Sequence, residues 1–339
     1  MRYVLKRFGQ AVLTLFVVVT VAFILYRLMP GNPVSAYKAQ LLEQAEQTGT
    51  QVDIEEINRR AELYLNVNPD QPIHLAYLEY MREALLNQDF GESLWYNRPV
   101  FDILFQAMPW SIFISIYSLI LGRGVSLSLG MLMAYKEGSK FDYGMTIFGQ
   151  ALSAIPYYVG AIVLLAFLGY QTGIFPTGGR YDTATTPGFN IPFMLGVLHH
   201  GALPILSGFI LGFGGNLSMR ANAISVMGAD YLRFARLRGV GTGRLATLYV
   251  GRNAILPLYT GIMIGISGIF SSSIILEQIF SYPGVGWFTF GALQSHDYPL
   301  LMGAFIFYTT ITVTGILIAD LTYGLVDPRV RSGGERESF

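Results

Sequence analysis

The residues with the most evident chemistry are six arginines in the segment 220–257, which lies between two apolar stretches. They are Arg220, Arg233, Arg236, Arg238, Arg244 and Arg252, and Asp230 is the one acidic residue among them. Guanidinium groups form charge-assisted hydrogen bonds, but they are costly to place in hydrocarbon. Short arginine-rich loops of membrane proteins stay in the cytoplasm. The segment is therefore predicted to lie on the cytoplasmic side of a bilayer.

The sequence after Asp230 predicts a short amphipathic helix over residues 229–238. Apolar residues and arginines share that stretch at helical spacing, and glycines follow it at positions 239, 241 and 243. Glycine commonly ends a helix because it adopts the left-handed conformation without strain. Two interpretations stay open: a basic loop that only orients the chain in the membrane, or a surface that binds a partner protein.

Three more ionisable residues fall in or beside apolar stretches. Arg123 interrupts the second stretch, Glu277 closes the fifth, and Asp320 lies late in the sixth. Such residues mark a transport pathway or form pairs between helices. For Glu277 and Asp320, which lie near the ends of their stretches, snorkelling or capping is an equal explanation.

Two other patterns resemble catalytic or metal sites. His199 and His200 are adjacent and lack the HExxH spacing or a carboxylate partner of a zinc site, so packing at a membrane edge is expected rather than metal binding. Residues 265–268 spell GxSG, the serine motif of intramembrane proteases. The histidine that follows this motif is His296, in a predicted outer loop, which argues against a serine–histidine pair.

The sequence also excludes several functions. It has no GxxxxGK[ST] phosphate-binding loop, so a nucleotide that drives transport must bind another chain. It has no cysteine, which excludes disulfides, thiolate zinc sites and cysteine nucleophiles. Its formal net charge is zero, so no general attraction to nucleic acid is implied. We therefore expect no enzymatic activity, cofactor or metal on this chain itself.

Membrane helices must position these residues, because 52% of the sequence is hydrophobic and only 13% is charged. Six stretches reach the ~20 residues that a helix needs to cross a bilayer. They are residues 8–29, 103–135, 143–170, 193–219, 256–280 and 300–326. The first follows a basic start and precedes no small-residue cleavage site, so we interpret it as a retained anchor. The prediction is an all-α polytopic membrane protein with six transmembrane helices and both termini in the cytoplasm.

Between the first two spans the sequence becomes polar, and acids outnumber bases. Residues 31–100 are predicted to form a helical extracytoplasmic insertion, either a solvated acidic surface or a docking surface. The other predicted regions are an N-terminal membrane helix (1–30), a membrane core (101–326) that contains the cytoplasmic segment 220–257, and a cytoplasmic tail (327–339).

Short motifs follow one another along nearly the whole chain. They are PGNP at 30–33, DFGES at 89–93, FPTGG at 175–179, DYLRFARLRG at 230–239, RNAILP at 252–257, PGVG at 283–286, DYP at 297–299 and DPR at 327–329. In this order they resemble the membrane-spanning permease subunits of dipeptide and oligopeptide ATP-binding-cassette importers, specifically the subunit with the large outer insertion. The stretch 230–239 is similar to that family's DYVRTARAKG. Leu237 stands where the family usually has alanine, and Asn32 where it usually has aspartate.

The resemblance implies the type I importer permease fold, with a coupling helix that seats in a groove of a cytoplasmic ATPase. The residues assigned to that role are Asp230, Tyr231, Arg233, Phe234, Ala235, Arg236, Arg238 and Gly239. Candidates for the pathway or a gate are Arg123, Glu277, Pro283, Gly284 and Asp320.

The resemblance also implies partners and a location. The partners are a second homologous permease, two cytoplasmic ATPases that hold ATP and Mg²⁺, an extracytoplasmic substrate-binding protein and membrane lipid, with no nucleic acid. The location is the inner or cytoplasmic cell membrane. Di- and oligopeptides are the expected substrates, while oligosaccharides, nickel chelates and glutathione stay open because selectivity resides mostly in the binding protein. An intramembrane serine protease and an exporter or channel are the alternatives from other classes.

Overall fold

The chain is largely helical in the part that the structure describes. The computed structural model describes residues 2–28, 72–87, 89–212, 215–255, 258 and 274–326. The helices are α1 Arg2–Leu28, α2 Ile73–Arg82, α3 Val100–Tyr135, α4 Lys140–Ala154, α5 Tyr157–Leu164, α6 Ile191–Gly212, α7 Gly215–Met227, α8 Asp230–Leu237, α9 Thr242–Arg244, α10 Val285–Gln294 and α11 Tyr298–Val326. The π-helical segments Glu83–Asn87, Leu165–Gln171 and Leu245–Gly251 continue α2, α5 and α9. Strands β1 Glu92–Ser93 and β2 Arg98–Pro99 pair antiparallel.

Four helices within those residues are long and apolar enough to cross a membrane. They contain the stretches Leu5–Ile24, Val100–Tyr135, Ile191–Ile210 and Tyr298–Ile318. These helices correspond to the first, second, fourth and sixth predicted spans, and the chain is a multi-pass membrane protein. The predicted fifth span lies mostly outside the described residues, which include only residue 258 and the end of the span at 274–280.

The third predicted span is bent rather than straight. α4 and the helix that runs from Tyr157 to Gln171 meet at 95°, and together they have the length and apolarity of one further span. The bend lies at Ile155 and Pro156. Ile155 is extended, with φ −84° and ψ 121°, because the ring of a following proline disfavours the helical conformation. Pro156 also lacks the N–H that would continue the helical hydrogen bonds.

The described chain divides into two compact units. The first comprises Met1–Ser111 and Pro283–Thr314, and the second comprises Ile112–Tyr282 and Gly315–Phe339. In the first unit, α1 packs on α2 through a buried apolar cluster in which the rings of Phe23 and Tyr80 lie 5.4 Å apart. A hydrogen bond of 2.6 Å joins the hydroxyls of Thr20 and Tyr77 across the same contact. The described end of the predicted insertion is therefore attached to the first membrane helix.

A second cluster of the first unit packs against Tyr96 in the turn of the β1–β2 hairpin. Its buried residues come from α3, α10 and α11, and they are Val100, Ile103, Leu104, Ala107, Val285, Ala292, Leu300 and Ala304. The hairpin turn contains Asn97, which has a left-handed backbone with φ 48°. Most of the predicted insertion, residues 31–71, lies outside the described residues. The remainder contains this hairpin in addition to α2.

The core of the second unit lies where α3, α7 and α8 meet the segment Leu245–Gly251. Its buried residues are Ala134, Met219, Ala223, Leu232, Ala235, Leu245, Val250 and Ala254. The predicted fourth span, residues 193–219, is divided in the structure between α6 and α7. Arg220, predicted as a loop residue, therefore lies inside a helix.

Candidate functional site

Helix α8 has a defined first residue and a defined last residue, so it is a separate helix from α7 and α9. Ala229 precedes it in an extended conformation, with φ −74° and ψ 141°. At the other end Gly239 is left-handed, with φ 75°. The Gly239 N–H donates to the Arg236 carbonyl at 3.0 Å, and the Val240 N–H donates to the Ala235 carbonyl at 3.2 Å. These two bonds form a Schellman motif, so the prediction that Gly239 ends the helix is confirmed.

The inner side of α8 fixes the helix to the second unit. Leu232 is 1% exposed and Ala235 is 6% exposed, and both pack in the core with residues of α3 and α7. Ala235 was predicted among the docking residues, but the structure places it on this inner side. Its small side chain lets α8 approach the core closely, so its part in the site is to seat the helix.

The outer side of α8 carries three large apolar side chains. Tyr231, Phe234 and Leu237 are 44%, 68% and 77% exposed. Their spacing of three residues places them along one face of the helix. Hydrophobic side chains of this size, gathered on an exposed helix face, are typical of a surface that a partner covers.

Exposed cations alternate in sequence with these apolar residues. The side chains of Arg233, Arg236 and Arg238 are exposed, as is that of Asp230 at the start of the helix. Among the described residues these three arginines form no ion pair. Their guanidinium groups remain available for bidentate bonds to carboxylates of another molecule. We call Tyr231, Phe234 and Leu237 with these three arginines the docking face.

A second group of ionisable residues lies at the other predicted site. Glu277 is 1% exposed, and Arg180 and Tyr282 interact electrostatically with it. Burial lowers the pKa of Arg180, and the charge of Glu277 opposes that shift. Burial likewise raises the pKa of Tyr282 far above its usual range. Sequence reasoning missed Arg180, and its one signal was that it is an isolated base in a predicted outer loop.

Arg180 belongs to a loop that is held against the residues after Glu277. The Gly179 N–H donates to the Ser281 carbonyl at 3.0 Å, and Gly179 is left-handed with φ 85°. A Cβ at Gly178 would lie 3.1 Å from the Cβ of Ser281. The FPTGG motif therefore serves to bring this loop close to the segment that carries Glu277.

The remaining predicted pathway residues are dispersed. Arg123 lies half-buried in the second unit, whereas Pro283 and Gly284 begin the second part of the first unit. Asp320 lies in α11, and its side chain is outside the described residues. The structure brings Glu277 together with Arg180 and Tyr282, and it does not bring Arg123 into that group.

The two adjacent histidines bind backbone oxygens. Nε2 of His199 lies 2.8 Å from the carbonyl of Ile174, and Nδ1 of His200 lies 2.9 Å from that of Gly196. A carbonyl only accepts, so each of these nitrogens carries the proton. The histidines also line a cleft of about 810 Å³ under the loop that carries Asp182. No group of three metal-binding side chains occurs in the described part of the chain.

The serine of the GxSG motif, Ser267, lies outside the described residues. His296, the histidine that would have to serve as its base, is exposed and left-handed in a turn, with φ 54°. Its ring lies 6.4 Å from that of Tyr298.

Comparison with known proteins gives one consistent result. Residues 126–332 match the family model of binding-protein-dependent transport system inner membrane components. The chain is 28% identical to the oligopeptide transport system permease protein AppB of Bacillus subtilis over 333 residues, which cover 97% of this chain and 98% of the relative. It is 28% identical to the dipeptide transport system permease protein DppB of Lactococcus lactis over 334 residues, 97% and 99% of the two chains.

The dipeptide transport system permease protein DppB of Escherichia coli K12 is 26% identical over 350 residues, which cover 98% of this chain and 99% of the relative. The family match spans more than half of the chain and includes the docking face. The apolar spans fit a membrane component. This chain therefore belongs to the family of binding-protein-dependent transport system inner membrane components.

Proposed function

We propose that this chain is one of two membrane-spanning subunits of an ATP-driven importer, and that its docking face binds a cytoplasmic ATPase. The observation that carries the proposal is the two-sided α8: Leu232 and Ala235 fix it to the chain's own core, while Phe234 and Leu237 are left exposed. A helix seated this firmly can transmit force from a partner to the membrane helices. The sequence has no nucleotide-binding loop, so ATP and Mg²⁺ are assigned to the partner.

The proposed topology has six transmembrane helices with both termini in the cytoplasm, and residues 31–100 outside. Four described spans and the bent α4–α5 pair support it; the remaining span is assigned to residues 256–280 from their apolar sequence. The docking face, with its exposed arginines, then lies in the cytoplasm as the positive-inside rule requires. In this topology Arg180 and Glu277 lie near the extracytoplasmic side, where we propose that they form part of a gate. Arg123, Pro283, Gly284 and Asp320 remain candidates for the pathway.

We propose di- and oligopeptides as the transported substrates. The support is that relatives matched over nearly their full length are named as dipeptide and oligopeptide permeases. Oligosaccharides, nickel chelates and glutathione are the substrate classes to test beside them. A binding protein outside the membrane and a second permease complete the proposed complex, as the family's description implies binding-protein dependence.

The test is ATP-dependent uptake by the complex purified from native membranes and placed in lipid vesicles. Labelled di- and oligopeptides are offered with the binding protein, and ATP is supplied on the side of the ATPases. Phe234→Asp should abolish uptake by placing a carboxylate in the apolar contact. Phe189→Asp, at a phenylalanine that is even more exposed than Phe234 and lies in the loop before α6, should not. Uptake without ATP would contradict the proposal and favour a channel, and equal uptake by both variants would contradict the assignment of the docking face.

A further inference from the structure

An ion pair with a buried carboxylate holds the helix that precedes the docking face. Arg220 of α7 and Asp142 of α4 meet in a two-pronged contact, with Nε to Oδ1 at 2.5 Å and Nη2 to Oδ2 at 2.6 Å. The Asp142 side chain is 2% exposed and that of Arg220 is 27% exposed. Asp142 also accepts a bond of 3.1 Å from the N–H of Gly138. Both carboxylate oxygens are therefore satisfied, as a charge in this setting requires.

Close packing brings the same helices together beside the ion pair. A Cβ on Gly130 of α3 would lie 2.3 Å from the carbonyl oxygen of Asn216 in α7. A Cβ on Gly149 of α4 would lie 3.1 Å from the amide nitrogen of the same asparagine. Asn216 is fully buried. α7 is thus wedged against α3 and α4 at glycines, with the Arg220–Asp142 pair one turn further along.

The wedged helix leads directly into the docking face. The turn between α7 and α8 is short and is held by backbone hydrogen bonds. The Ala229 N–H donates to the Val226 carbonyl at 3.0 Å, and the Leu232 N–H donates to the Ala229 carbonyl at 3.1 Å. Leu232 and Ala235 of α8 then pack in one cluster with Met219 and Ala223 of α7. A displacement of α8 must therefore move α7 as well.

We propose that Asp142 and Arg220 are a positioning pair that fixes α7 against α4. A force applied to the docking face then displaces α3, α4 and α7 together as one rigid body. This inference rests on the proposed function for the identity of the partner that pushes. The arginine fork fixes the orientation of both helices, which a purely apolar contact of the same area does not. Loss of Arg220 as a partner would leave the Asp142 carboxylate, which is 2% exposed, without its countercharge, and this is unfavourable. In this proposal the pair stays closed while the surrounding helices move.

The inference is tested by variants that change the pair in steps. Asp142→Asn keeps the shape and removes the charge, Arg220→Lys keeps the charge and removes the fork, and the exchange Asp142→Arg with Arg220→Asp restores opposite charges in reverse. The control is Lys140→Gln, an exposed charge in the same helical turn as Asp142. All variants are studied in the full complex in lipid vesicles.

Two measurements separate positioning from simple folding. The first is substrate transported per ATP hydrolysed, which should fall by about tenfold in Asp142→Asn and Arg220→Lys, within the range of ordinary coupling free energies. ATP hydrolysis itself should persist, because the docking face is intact. The second is the distance distribution between spin labels at Ser225→Cys in α7 and Ile147→Cys in α4, both exposed positions in a chain that has no cysteine of its own.

With the native ion pair, the distribution of distances between the two labels should be narrow both with and without ATP. Asp142→Asn should broaden that distribution, and the charge exchange should narrow it again. The inference is overturned if Asp142→Asn and Arg220→Lys assemble into complexes whose transport per ATP and label distances equal those of Lys140→Gln. Failure of the proposed function looks different. In that case Phe234→Asp would leave binding of the ATPase intact, whatever the state of the ion pair.

Discussion

The Oγ of Ser93 donates a 2.5 Å hydrogen bond to Oδ2 of Asp297, 204 residues later in the chain. The same oxygen accepts from the N–H of Trp95 at 3.1 Å, and Oδ1 accepts from the N–H of Leu300 at 3.2 Å. Asp297 and Ser93 are both fully buried. One carboxylate therefore caps α11 and holds the β1–β2 hairpin at the start of that helix. It joins the DFGES and DYP motifs of the sequence.

Replacement of Asp297 by alanine should destabilise the first unit by roughly 2–4 kcal/mol, because a helix cap is lost and buried donors are left without an acceptor. The measurement is thermal unfolding of the purified protein in detergent. Asp102→Ala, at an exposed residue in the first turn of α3, is the control and should change little. Equal unfolding temperatures for the two variants would show that the Asp297 bonds contribute nothing to stability.

Two glycines of α3 should respond oppositely to alanine. A Cβ at Gly130 would lie 2.3 Å from a backbone oxygen of α7, whereas a Cβ at Gly124 meets nothing within 4 Å. Gly130→Ala should destabilise by roughly 1–3 kcal/mol through overpacking. Gly124→Ala should be neutral or stabilising by up to ~1 kcal/mol, because alanine is the better helix former. Thermal unfolding of the two variants decides this, and a tolerated alanine at position 130 would mean that α7 is not wedged there.

The end of α8 depends on the backbone of Gly239. Its φ is 75° and the space around its Cα is open, so alanine there is strained only by the left-handed conformation, at about 1 kcal/mol. Gly243→Ala, in similarly open space and without a positive φ, is the matched control. Hydrogen exchange of the α8 amides should be faster in Gly239→Ala and unchanged in Gly243→Ala. Faster exchange in both variants would show that the loss of any glycine in this segment loosens α8, and that the left-handed conformation of residue 239 is not the cause.

Two leucines of α8 should separate stability from partner binding. Leu232 is 1% exposed and Leu237 is 77% exposed. Leu232→Ala should lower the stability of the isolated chain by roughly 2–5 kcal/mol, the usual cost of a cavity. Leu237→Ala should leave that stability unchanged but weaken binding of the ATPase by about 1–2 kcal/mol, because an apolar contact of the docking face is lost. The checks are thermal unfolding of the chain alone and titration with the purified ATPase. A reversed pattern would mean that the inner and outer sides of α8 are wrongly assigned.

Local features of the site could be predicted from sequence. The helix at 230–237 follows from spacing, and its end follows from Gly239, since one glycine is enough to specify a Schellman motif. The inward position of Ala235 could not be predicted, because alanine fits both a core and a surface. The bend at Pro156 could have been predicted from the conformational restriction of the residue before proline. The length of the apolar stretch alone predicts one straight span there.

The pairing of charged residues that lie far apart in the chain could not be predicted from the sequence. Arg220 is one of six arginines in its segment, and nothing in the local pattern distinguishes it from the exposed Arg233 or Arg236. Its partner Asp142 lies 78 residues earlier, in a helix whose placement depends on the bend after it. The same holds for Arg180 and Glu277, which only the folded loop around Gly179 brings together.

The most direct test of the docking face uses the absence of cysteine from the chain. A single cysteine is introduced at Phe234, labelled with a short photoactivatable cross-linker in native membranes, and the products are identified by mass spectrometry. A cysteine at Phe189 is the control. The account predicts that position 234 cross-links to a cytoplasmic ATPase subunit and that position 189 does not. Cross-linking from position 234 only to lipid, or to an extracytoplasmic binding protein, would contradict it.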